Sequence, residues 1–384
     1  MKKILINLIV IEKHGISRAW LLKYKHLQEL GNEIYFHCGK FIKKIEPIEL
    51  QNVYNFNENF KQIQNFPEIS NKLLFIWHAL KRNFASLSSV NQIKNNFDVI
   101  YSPAQGLDLI LLPYIFKKIN KKTKWVMVFD NIVPLQDPGN KLIRFLAWLF
   151  FKLGLKLIKK ADKIFVISPQ LKKYLLGKNF KENQIVITGN AVEGKLIKKA
   201  KPHPNHQFDA IFIGRLNETK GIYDMLKVLQ IIKQKYSNFQ LAIMGEGDKK
   251  TTNKFKSKIK ELNLKNNIQL LGFKTGQEKF DIIKSSKLFL FLSQSESESF
   301  GMALLEAVTS GLPAITYNLE PYKHIYQNNE IFTFPTKRID LIAEKIIEIF
   351  EKKEFTNEKG KLLLEKYGSW EKIAEIEYQA IKNL

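Results

Sequence analysis

The sequence predicts an α/β protein built from two doubly wound domains, and three observations support this fold class. Short apolar runs alternate with segments of helical spacing in both halves of the 384-residue chain. These runs are apolar throughout, which is typical of parallel strands that are covered on both faces. A polar segment with two prolines, residues 198–206, separates the halves and is typical of a linker. Strands separated by helices form right-handed βαβ units, so each half is predicted to hold its own parallel sheet.

The first half is predicted to begin with a strand and a helix. The helix is expected over residues 16–30, where apolar residues have helical spacing and Gly31 follows. Residues 50–96 are rich in Asn and Phe and show no clear period, so no element or role is predicted there. The strands of this half are predicted at residues 4–10, 33–37, 98–101, 125–129, 163–167 and 184–187.

The second half repeats the pattern and ends in a helix over residues 370–384, with Ser369 as its N-cap. We therefore expect a first domain over 1–200, a second over 201–368 and a final helix over 369–384. The strands of the second half are predicted at residues 209–213, 240–244, 268–271, 288–292 and 313–316.

Composition limits the classes of function. The chain has 61 Lys and Arg against 37 Asp and Glu, a net charge of +24. The first 200 residues hold 33 basic and 14 acidic residues, whereas the remainder holds 28 and 23. Such a chain is drawn to polyanions. Zinc-finger spacing, an RNP-like motif and an arginine-rich stretch are all absent from the sequence, so we expect no nucleic-acid partner.

The cysteine count and the apolar segments indicate where the protein is expected to act and whether it contacts a membrane. The single cysteine, Cys38, excludes an intramolecular disulfide and a cysteine-rich zinc site. No uncharged apolar run of about 18 residues occurs and the start does not resemble a signal peptide, so a cytoplasmic protein is expected. Residues 140–160 are rich in Lys, Trp and Phe. Two interpretations stay open: a helix lying on an anionic membrane surface, which would make the protein peripheral at the inner face, or a helix buried on its sheet.

The densest group of candidate functional residues lies after the predicted strand at 288–292. Gly301 permits close approach of a ligand to the backbone, and the helix that follows offers free N–H groups to an anion. Glu298 lies in the loop and Glu306 on the helix. Two carboxylates at the rim of an anion site suit sugar hydroxyls, from which each accepts hydrogen bonds.

A second group follows the predicted strand at 209–213. Gly214 is followed by Arg215, and Lys220 lies at the start of the next helical segment. A guanidinium and an ammonium at this edge could hold the two phosphates of a diphosphate. Arginine is informative here, because only five of the 61 basic residues are arginine.

Together these motifs resemble the retaining nucleotide-sugar glycosyltransferases called group 1 or family 4, which have the GT-B fold of two Rossmann-like domains facing a cleft. The likeness is most specific over residues 209–317 and weaker in the first half. It is carried by Gly-Arg-Leu with a following Lys-Gly, by Met-Gly-Glu-Gly at 244–247, by Leu-Gly-Phe at 271–273, and by the Glu298/Glu306 pair before Gly-Leu-Pro.

The resemblance implies roles for single residues. Arg215 and Lys220 would hold the donor diphosphate and neutralise the leaving group, Glu306 would accept hydrogen bonds from the ribose, and Glu298 would hold hydroxyls of the donor sugar. Glu298, Arg215, Lys220 and Asp130 are the implied catalytic group. The further implied donor-binding positions are Gly15, Gly214, Gly245, Gly247, Phe300, Gly301 and Met302.

The chain departs from the family pattern in its first half. Many relatives have two adjacent glycines after the first strand, where this chain has His14 and Gly15. Many have a donor-contacting histidine where this chain has Phe129. Three alternatives stay open: Asp130 or Asn131 takes over that contact, the alignment is off by one residue, or the donor differs. His14 is a further candidate for a polar group in the cleft.

The resemblance implies transfer of a hexose-type sugar, with retention and without a metal or other cofactor, from a nucleoside diphosphate donor to a saccharide or lipid-linked acceptor of a cell-surface glycan. No Asp-x-Asp occurs in the sequence, in agreement with a donor held by cations. A UDP-sugar is favoured and a GDP-sugar is the rival. A GT-B nucleotide-sugar epimerase and an inactive sugar-nucleotide-binding scaffold are the alternatives.

Overall fold

The structure is a computed structural model, and it describes most of the chain. The described residues are 1–8, 15–39, 53–56, 97–135, 141–295 and 298–384, with the single positions 77, 80, 81, 83, 84, 87, 88, 90 and 93, and of residues 15–19, 39 and 53–56 only the backbone is described.

The chain divides into two compact units. The first takes Met1–Leu135, Asn140–Ala191 and Trp370–Leu384, and the second takes Val192–Ser369. The predicted boundary after residue 200 therefore lies inside the second unit. The reason is that helix Gly194–Lys199 packs against helix Gly276–Lys284, where Gln277 Nε2 donates to the Leu196 carbonyl at 3.2 Å.

The first unit contains a seven-stranded parallel sheet in the order β3-β2-β1-β4-β5-β6-β7. Its strands are β1 (Lys3–Asn7), β2 (Glu33–Gly39), β3 (Val53–Phe56), β4 (Val99–Ser102), β5 (Lys124–Phe129), β6 (Lys163–Val166) and β7 (Ile185–Ile187). The helices of this unit that have described bounds and precede the second unit are α1 (Gly15–Glu29), α2 (Leu107–Ile119), α3 (Lys141–Ile158) and α4 (Pro169–Leu176).

The six strands predicted for this half are confirmed, with ends that shift by a few residues. Residues 9 and 10 of the first prediction lie outside the described residues. Strand β3 was not predicted, because its four residues fall in the Asn-rich stretch that shows no period. The sheet interior matches the prediction of strands covered on both faces: Ile4, Leu5 and Ile6 are completely buried.

The second unit contains a six-stranded parallel sheet in the order β10-β9-β8-β11-β12-β13. Its strands are β8 (Ala210–Ile213), β9 (Leu241–Met244), β10 (Ile268–Gly272), β11 (Phe289–Phe291), β12 (Ala314–Tyr317) and β13 (Phe332–Phe334). Its helices are α5 (Gly194–Lys199), α6 (Ile222–Lys235), α7 (Lys249–Glu261), α8 (Gly276–Lys284), α9 (Met302–Thr309), α10 (Tyr322–Ile325), α11 (Ile339–Lys352) and α12 (Glu358–Tyr367).

The five predicted strands of this half are confirmed, and only the short β13 was missed. Strand β8 lies between β9 on one side and β11 on the other, so the strand order reverses there. Open α/β sheets bind ligands at such a reversal, outside the carboxyl ends of the strands. This topology directs attention to the segments that follow β8 and β11.

The last helix, α13 (Trp370–Lys382), belongs to the first unit and packs against α1. A buried polar cluster joins the two helices. Lys23 Nζ lies 2.9 Å from Glu377 Oε1 and donates to the Tyr101 hydroxyl at 2.7 Å, and that hydroxyl donates to Glu377 Oε2 at 2.8 Å. The Lys23 and Glu377 side chains are only 5% and 1% exposed. Burial raises the pKa of Glu377, while Lys23 acts in the opposite direction.

Helix α3 buries Phe151, Leu155 and Ile158, and Gly154 faces Ile110 of α2. One face of this segment is therefore buried, as one of the two sequence interpretations requires. Among the described helices, none has the length and hydropathy needed to cross a membrane.

We predict that Glu377→Ala destabilises the first unit by about 3–5 kcal/mol, because it leaves the buried Lys23 ammonium without its counter-ion. Urea denaturation followed by tryptophan fluorescence measures the change. Glu375→Ala, at an exposed position of the same helix, should change stability by less than about 0.5 kcal/mol. Equal stability of the two variants would show that the cluster does not hold α13 in place.

A second prediction concerns Asp130, which follows β5. Burial raises the pKa of Asp130 from 3.8 to about 6. Because its pKa is higher in the folded state, protonated Asp130 favours folding. The stability that this protonation contributes is lost as the pH rises from about 4 through about 6. Asp130→Asn should therefore be more stable than the wild type by about 1–3 kcal/mol at pH 8, and the gain should vanish near pH 4.

Thermal melts of both proteins across this pH range measure the effect of Asp130. Glu344→Gln, which removes an exposed carboxylate of the other unit, is the control for the loss of a charge. An Asp130→Asn protein whose difference from the wild type is the same at every pH would contradict the prediction.

Candidate functional site

The candidate site is formed by the segments that follow β8 and β11 in the second unit. After β8 come Gly214 and the exposed Arg215, followed by a 3-10 turn, Glu218–Lys220. Asn217 caps this turn, since its side-chain oxygen accepts from Thr219 N at 3.0 Å. The turn determines where Lys220 points.

Lys220 and Glu298, which the sequence predicts as catalytic residues, are in direct contact. Lys220 Nζ donates to Glu298 Oε2, and the two side chains are 21% and 12% exposed. Ser293 Oγ donates to the same carboxylate oxygen at 3.2 Å. The ammonium also lies 5.5 Å from the centre of the Phe291 ring. The pair is thus partly shielded from water. Charges in such a place interact more strongly than they do on an open surface.

The backbones of the two segments approach each other closely. Gly221 has φ +72°, and a Cβ atom at this position would lie 1.9 Å from the Leu292 carbonyl oxygen. Glycine is therefore required here on both conformational and steric grounds. Gln294 N donates to the Thr219 carbonyl at 2.8 Å, which fixes the two segments together next to the Lys220–Glu298 contact.

Asp224, in the first turn of α6, ties the same segments to β12. Its carboxylate accepts from the Tyr317 hydroxyl at 2.8 Å and from Gln294 Nε2, and it is 7% exposed. Burial and the bond to Asp224 raise the pKa of Tyr317, so its hydroxyl stays a donor. This network supports the loop that carries Glu298.

Gly301 precedes α9 and has φ +65°, a backbone conformation that suits glycine. A Cβ atom there would lie 2.9 Å from Tyr322 Cε1. Phe300 is 3% exposed and packs edge-on against Tyr367 at 5.6 Å, and Met302 is the first residue of α9. Burial and the Glu298 carboxylate raise the pKa of Tyr322. Tyr322 therefore lies close to Gly301, which precedes the first turn of α9, and its pKa responds to the carboxylate predicted to hold the sugar.

Glu306 lies on α9, but it is engaged by a residue that the sequence did not single out. Lys279 Nζ of α8 lies 2.6 Å from Glu306 Oε1, and the side chains are 11% and 14% exposed. Glu306 thus has an ion-pair partner on α8 that the sequence did not predict. The predicted contact of Glu306 with a ribose remains a prediction.

Gly245 and Gly247 follow β9 and lie against the segment after β8. Gly214 N donates to the Met244 carbonyl at 3.0 Å, and Leu216 N donates to the Glu246 carbonyl at 2.9 Å. A Cβ atom at Gly247 would lie 2.5 Å from the Leu216 carbonyl oxygen. These contacts position the backbone on either side of Arg215.

The predicted residues of the first half belong to the first unit. Gly15 is the first residue of α1, and His14 lies outside the described residues. Asp130 N donates to Gln105 Oε1 at 3.2 Å, and Gln105 Nε2 donates to the Asn131 carbonyl at 3.0 Å. The contact of Asp130 or Asn131 with a donor stays a prediction.

Phe129 stands where the resemblance led us to expect a donor-contacting histidine. The side chain is completely buried and stacks on Tyr174 with 6.1 Å between the ring centres. Phe129 is thus a core residue of the first unit.

In the part of the chain that the structure describes, no group of three or more His, Cys, Asp or Glu side chains is placed so that it could hold a metal ion. The site residues that sequence reasoning missed are Ser293, Asp224, Gln294, Tyr317 and Lys279. Ser293 and Gln294 directly follow a predicted strand, so their place at a carboxyl end was a usable signal.

Comparisons with known proteins support the resemblance to group 1 glycosyltransferases that the sequence motifs indicate. The profile of the family "Glycosyl transferases group 1" matches residues 194–362. An uncharacterized glycosyltransferase of Methanocaldococcus jannaschii is 30% identical in an alignment of 300 residues that covers 72% of this chain and 68% of the relative. The poly(ribitol-phosphate) alpha-N-acetylglucosaminyltransferase of Staphylococcus aureus is 26% identical, over 93% of this chain and 81% of the relative.

Among solved structures, HepE of Anabaena, crystallised with UDP and glucose, superposes with a TM-score of 0.75 at 14% identity and covers both chains fully. This likeness concerns the fold. The two parallel sheets with their helices are those of the GT-B fold, as the sequence predicts. With the family profile and the archaeal relative, they show that the chain belongs to the group 1 glycosyltransferases.

Proposed function

We propose that the protein transfers a hexose-type sugar, with retention, from a UDP-sugar to a saccharide or lipid-linked acceptor in the synthesis of a cell-surface glycan. The observation that carries the donor half of this proposal is the Lys220–Glu298 contact at the carboxyl ends of β8 and β11. A cation for phosphate and a carboxylate for sugar hydroxyls stand side by side, as a sugar diphosphate requires.

Arg215 and Lys220 are proposed to bind the diphosphate. When the bond between the sugar carbon and the diphosphate oxygen breaks, negative charge grows on the diphosphate. Cations held at that position stabilise this charge more in the transition state than in the bound substrate, which accelerates the step. Two side-chain cations can supply this charge, so the reaction is proposed to proceed without a metal ion or other cofactor.

Glu298 is proposed to change partners when the donor binds. In the structure its carboxylate accepts from Lys220 and Ser293. A diphosphate would compete for the Lys220 ammonium, which leaves Glu298 oxygens to accept from sugar hydroxyls. The N–H groups of the first turn of α9, after Gly301, would contribute a partial positive charge.

The nature of the substrates is proposed from the relatives. HepE was crystallised with UDP and glucose, and the S. aureus relative is named as an N-acetylglucosaminyltransferase that acts on poly(ribitol-phosphate). These names favour UDP as the leaving group and a cell-surface polymer or its lipid-linked precursor as the acceptor. GDP is the rival nucleotide.

A thermal-shift measurement with UDP, GDP and ADP tests the donor site. At a UDP concentration of about one hundred times Kd, we expect a stabilisation of about 2.7 kcal/mol, or about 5–10 °C in Tm. Arg215→Ala should lose most of this shift. Arg338→Ala, an exposed arginine of the same unit that pairs with Asp340, should keep it. An equal UDP shift in both variants would contradict the diphosphate role of Arg215.

Turnover distinguishes the roles of the ion pair. Glu298→Gln should lower kcat by about 100-fold or more, while its Tm shift with UDP is kept or increased because Lys220 is released. Lys220→Ala should lose both turnover and the UDP shift. The Lys274–Glu278 pair provides matched controls, since Lys274→Ala and Glu278→Gln remove an exposed pair at 2.6 Å in the same unit.

The products of a reaction with UDP-sugars separate this proposal from its alternatives. Release of UDP with a glycosylated acceptor supports transfer, and retention of the anomeric configuration is read by NMR of the product. An epimerised donor would indicate an epimerase. Binding of the donor with no product from any acceptor would indicate a scaffold.

A further inference from the structure

Helix α3 has two apolar faces, and only one of them is used by the core. Phe151, Leu155 and Ile158 are at most 7% exposed and lie on the face that packs toward the rest of the first unit. A surface helix normally carries polar residues on its other side. Here the other side is apolar as well.

We call the exposed apolar residues of α3 the α3 stripe. Their spacing of three, four and four residues places them on one face of the helix. Each is close to half exposed. The members are Leu142 (47%), Phe145 (48%), Leu149 (44%) and Leu153 (44%).

Cations border the α3 stripe. Lys141, Lys152 and Lys156 belong to the same helix, which contains no acidic residue. In the described residues, none of these three lysines forms an ion pair with a carboxylate. Lys152 Nζ lies 5.3 Å from the centre of the Trp148 ring, and Trp148 stacks on Phe145 at 6.1 Å. Apolar, aromatic and cationic groups thus meet on one exposed surface.

A second exposed stripe occurs elsewhere in the first unit, in the segment for which the sequence predicted no role. Its four residues are helical and have a spacing of three, four and three. Lys81 Nζ lies 4.9 Å from the centre of the Trp77 ring, which repeats the lysine–tryptophan pairing of α3. The members of the second stripe are Trp77 (54%), Leu80 (54%), Phe84 (74%) and Leu87 (38%).

We propose that the α3 stripe is a docking surface for an anionic lipid bilayer, with the second stripe as a further contact. Leucine and phenylalanine would enter the boundary between headgroups and acyl chains, while the lysines contact anionic headgroups. Charge complementarity favours lipid as the partner: the first 200 residues carry an excess of 19 positive charges. This inference concerns where the protein binds and does not rest on the transfer reaction.

Vesicle flotation with the full chain tests the proposal directly. Binding to phosphatidylcholine vesicles that contain about one-third phosphatidylglycerol should exceed binding to pure phosphatidylcholine by about tenfold or more. Raising the salt from about 0.1 M to about 0.5 M should remove most of this difference, because it screens the lysines. Equal recovery with neutral and anionic vesicles would overturn the proposal.

Paired variants separate the surface from general charge and hydrophobicity. Leu149→Ser with Leu153→Ser should lower binding to anionic vesicles by about tenfold. Leu362→Ser with Ile376→Ser, which removes two exposed apolar residues of other helices (67% and 40% exposed), should bind as the wild type does. Equal losses in both pairs would mean that the α3 stripe is not the surface.

Two matched double variants test how much the lysines contribute to vesicle binding. Lys152→Glu with Lys156→Glu should reduce binding to anionic vesicles by more than about tenfold. Lys256→Glu with Lys260→Glu makes the same charge change at the same spacing on α7, and should reduce it much less. Identical losses would show that net charge alone drives the binding.

Separate measurements test whether the α3 stripe inserts into the bilayer and whether the protein self-associates. Brominated acyl chains should quench tryptophan fluorescence in the wild type, and Trp148→Phe should reduce that quenching. Light scattering after gel filtration gives the oligomeric state. A dimer that Leu149→Ser with Leu153→Ser converts to a monomer, without vesicle binding by the wild type, would assign the surface to a second copy of the chain and overturn the lipid proposal.

Discussion

The close approach of residues 217–221 to residues 292–294 is the constraint on which the candidate site depends. Gly221 makes it possible, because any side chain there would overlap the Leu292 carbonyl. Lys220 and Glu298 are 78 positions apart in the sequence and meet because β8 and β11 are neighbours in the sheet. Asp224 then joins both segments to β12. A site of this kind is held by neighbouring strands and by the hydrogen bonds of Asp224, which suits a reaction that depends on preorganised charge.

The sequence predicted the parts of this arrangement that depend on local pattern. Apolar runs located the strands, and residue type at the strand ends selected Lys220 and Glu298. Lys279 carried no such signal, since it is one of 56 lysines and its partner Glu306 is 27 positions away. The pairing of Lys23 with Glu377 spans 354 positions, and no periodic pattern reports a contact at that distance.

The two faces of α3 show a different limit of pattern reasoning. Hydrophobic periodicity identifies a buried face by contrast with a polar one. In α3 the buried Phe151 and Leu155 and the exposed Leu149 and Leu153 are chemically alike, so the sequence left two interpretations open. The structure shows that one face of the helix is buried, as the interpretation of a helix buried on its sheet requires for that face. The proposal of a lipid surface concerns the opposite face. The uneven distribution of charge along the chain was visible from the sequence, but its relation to an apolar surface was not.

The return of α13 to the first unit has a consequence for the order in which the protein is made. A ribosome completes the whole of the second unit before it adds Glu377, the counter-ion of Lys23. During that interval the nascent first unit contains a lysine and Tyr101 without the carboxylate that they surround in the finished protein. The first unit can therefore reach its final stability only after α13 has left the ribosome, so until then this part of the surface of α1 is open to chaperones and proteases.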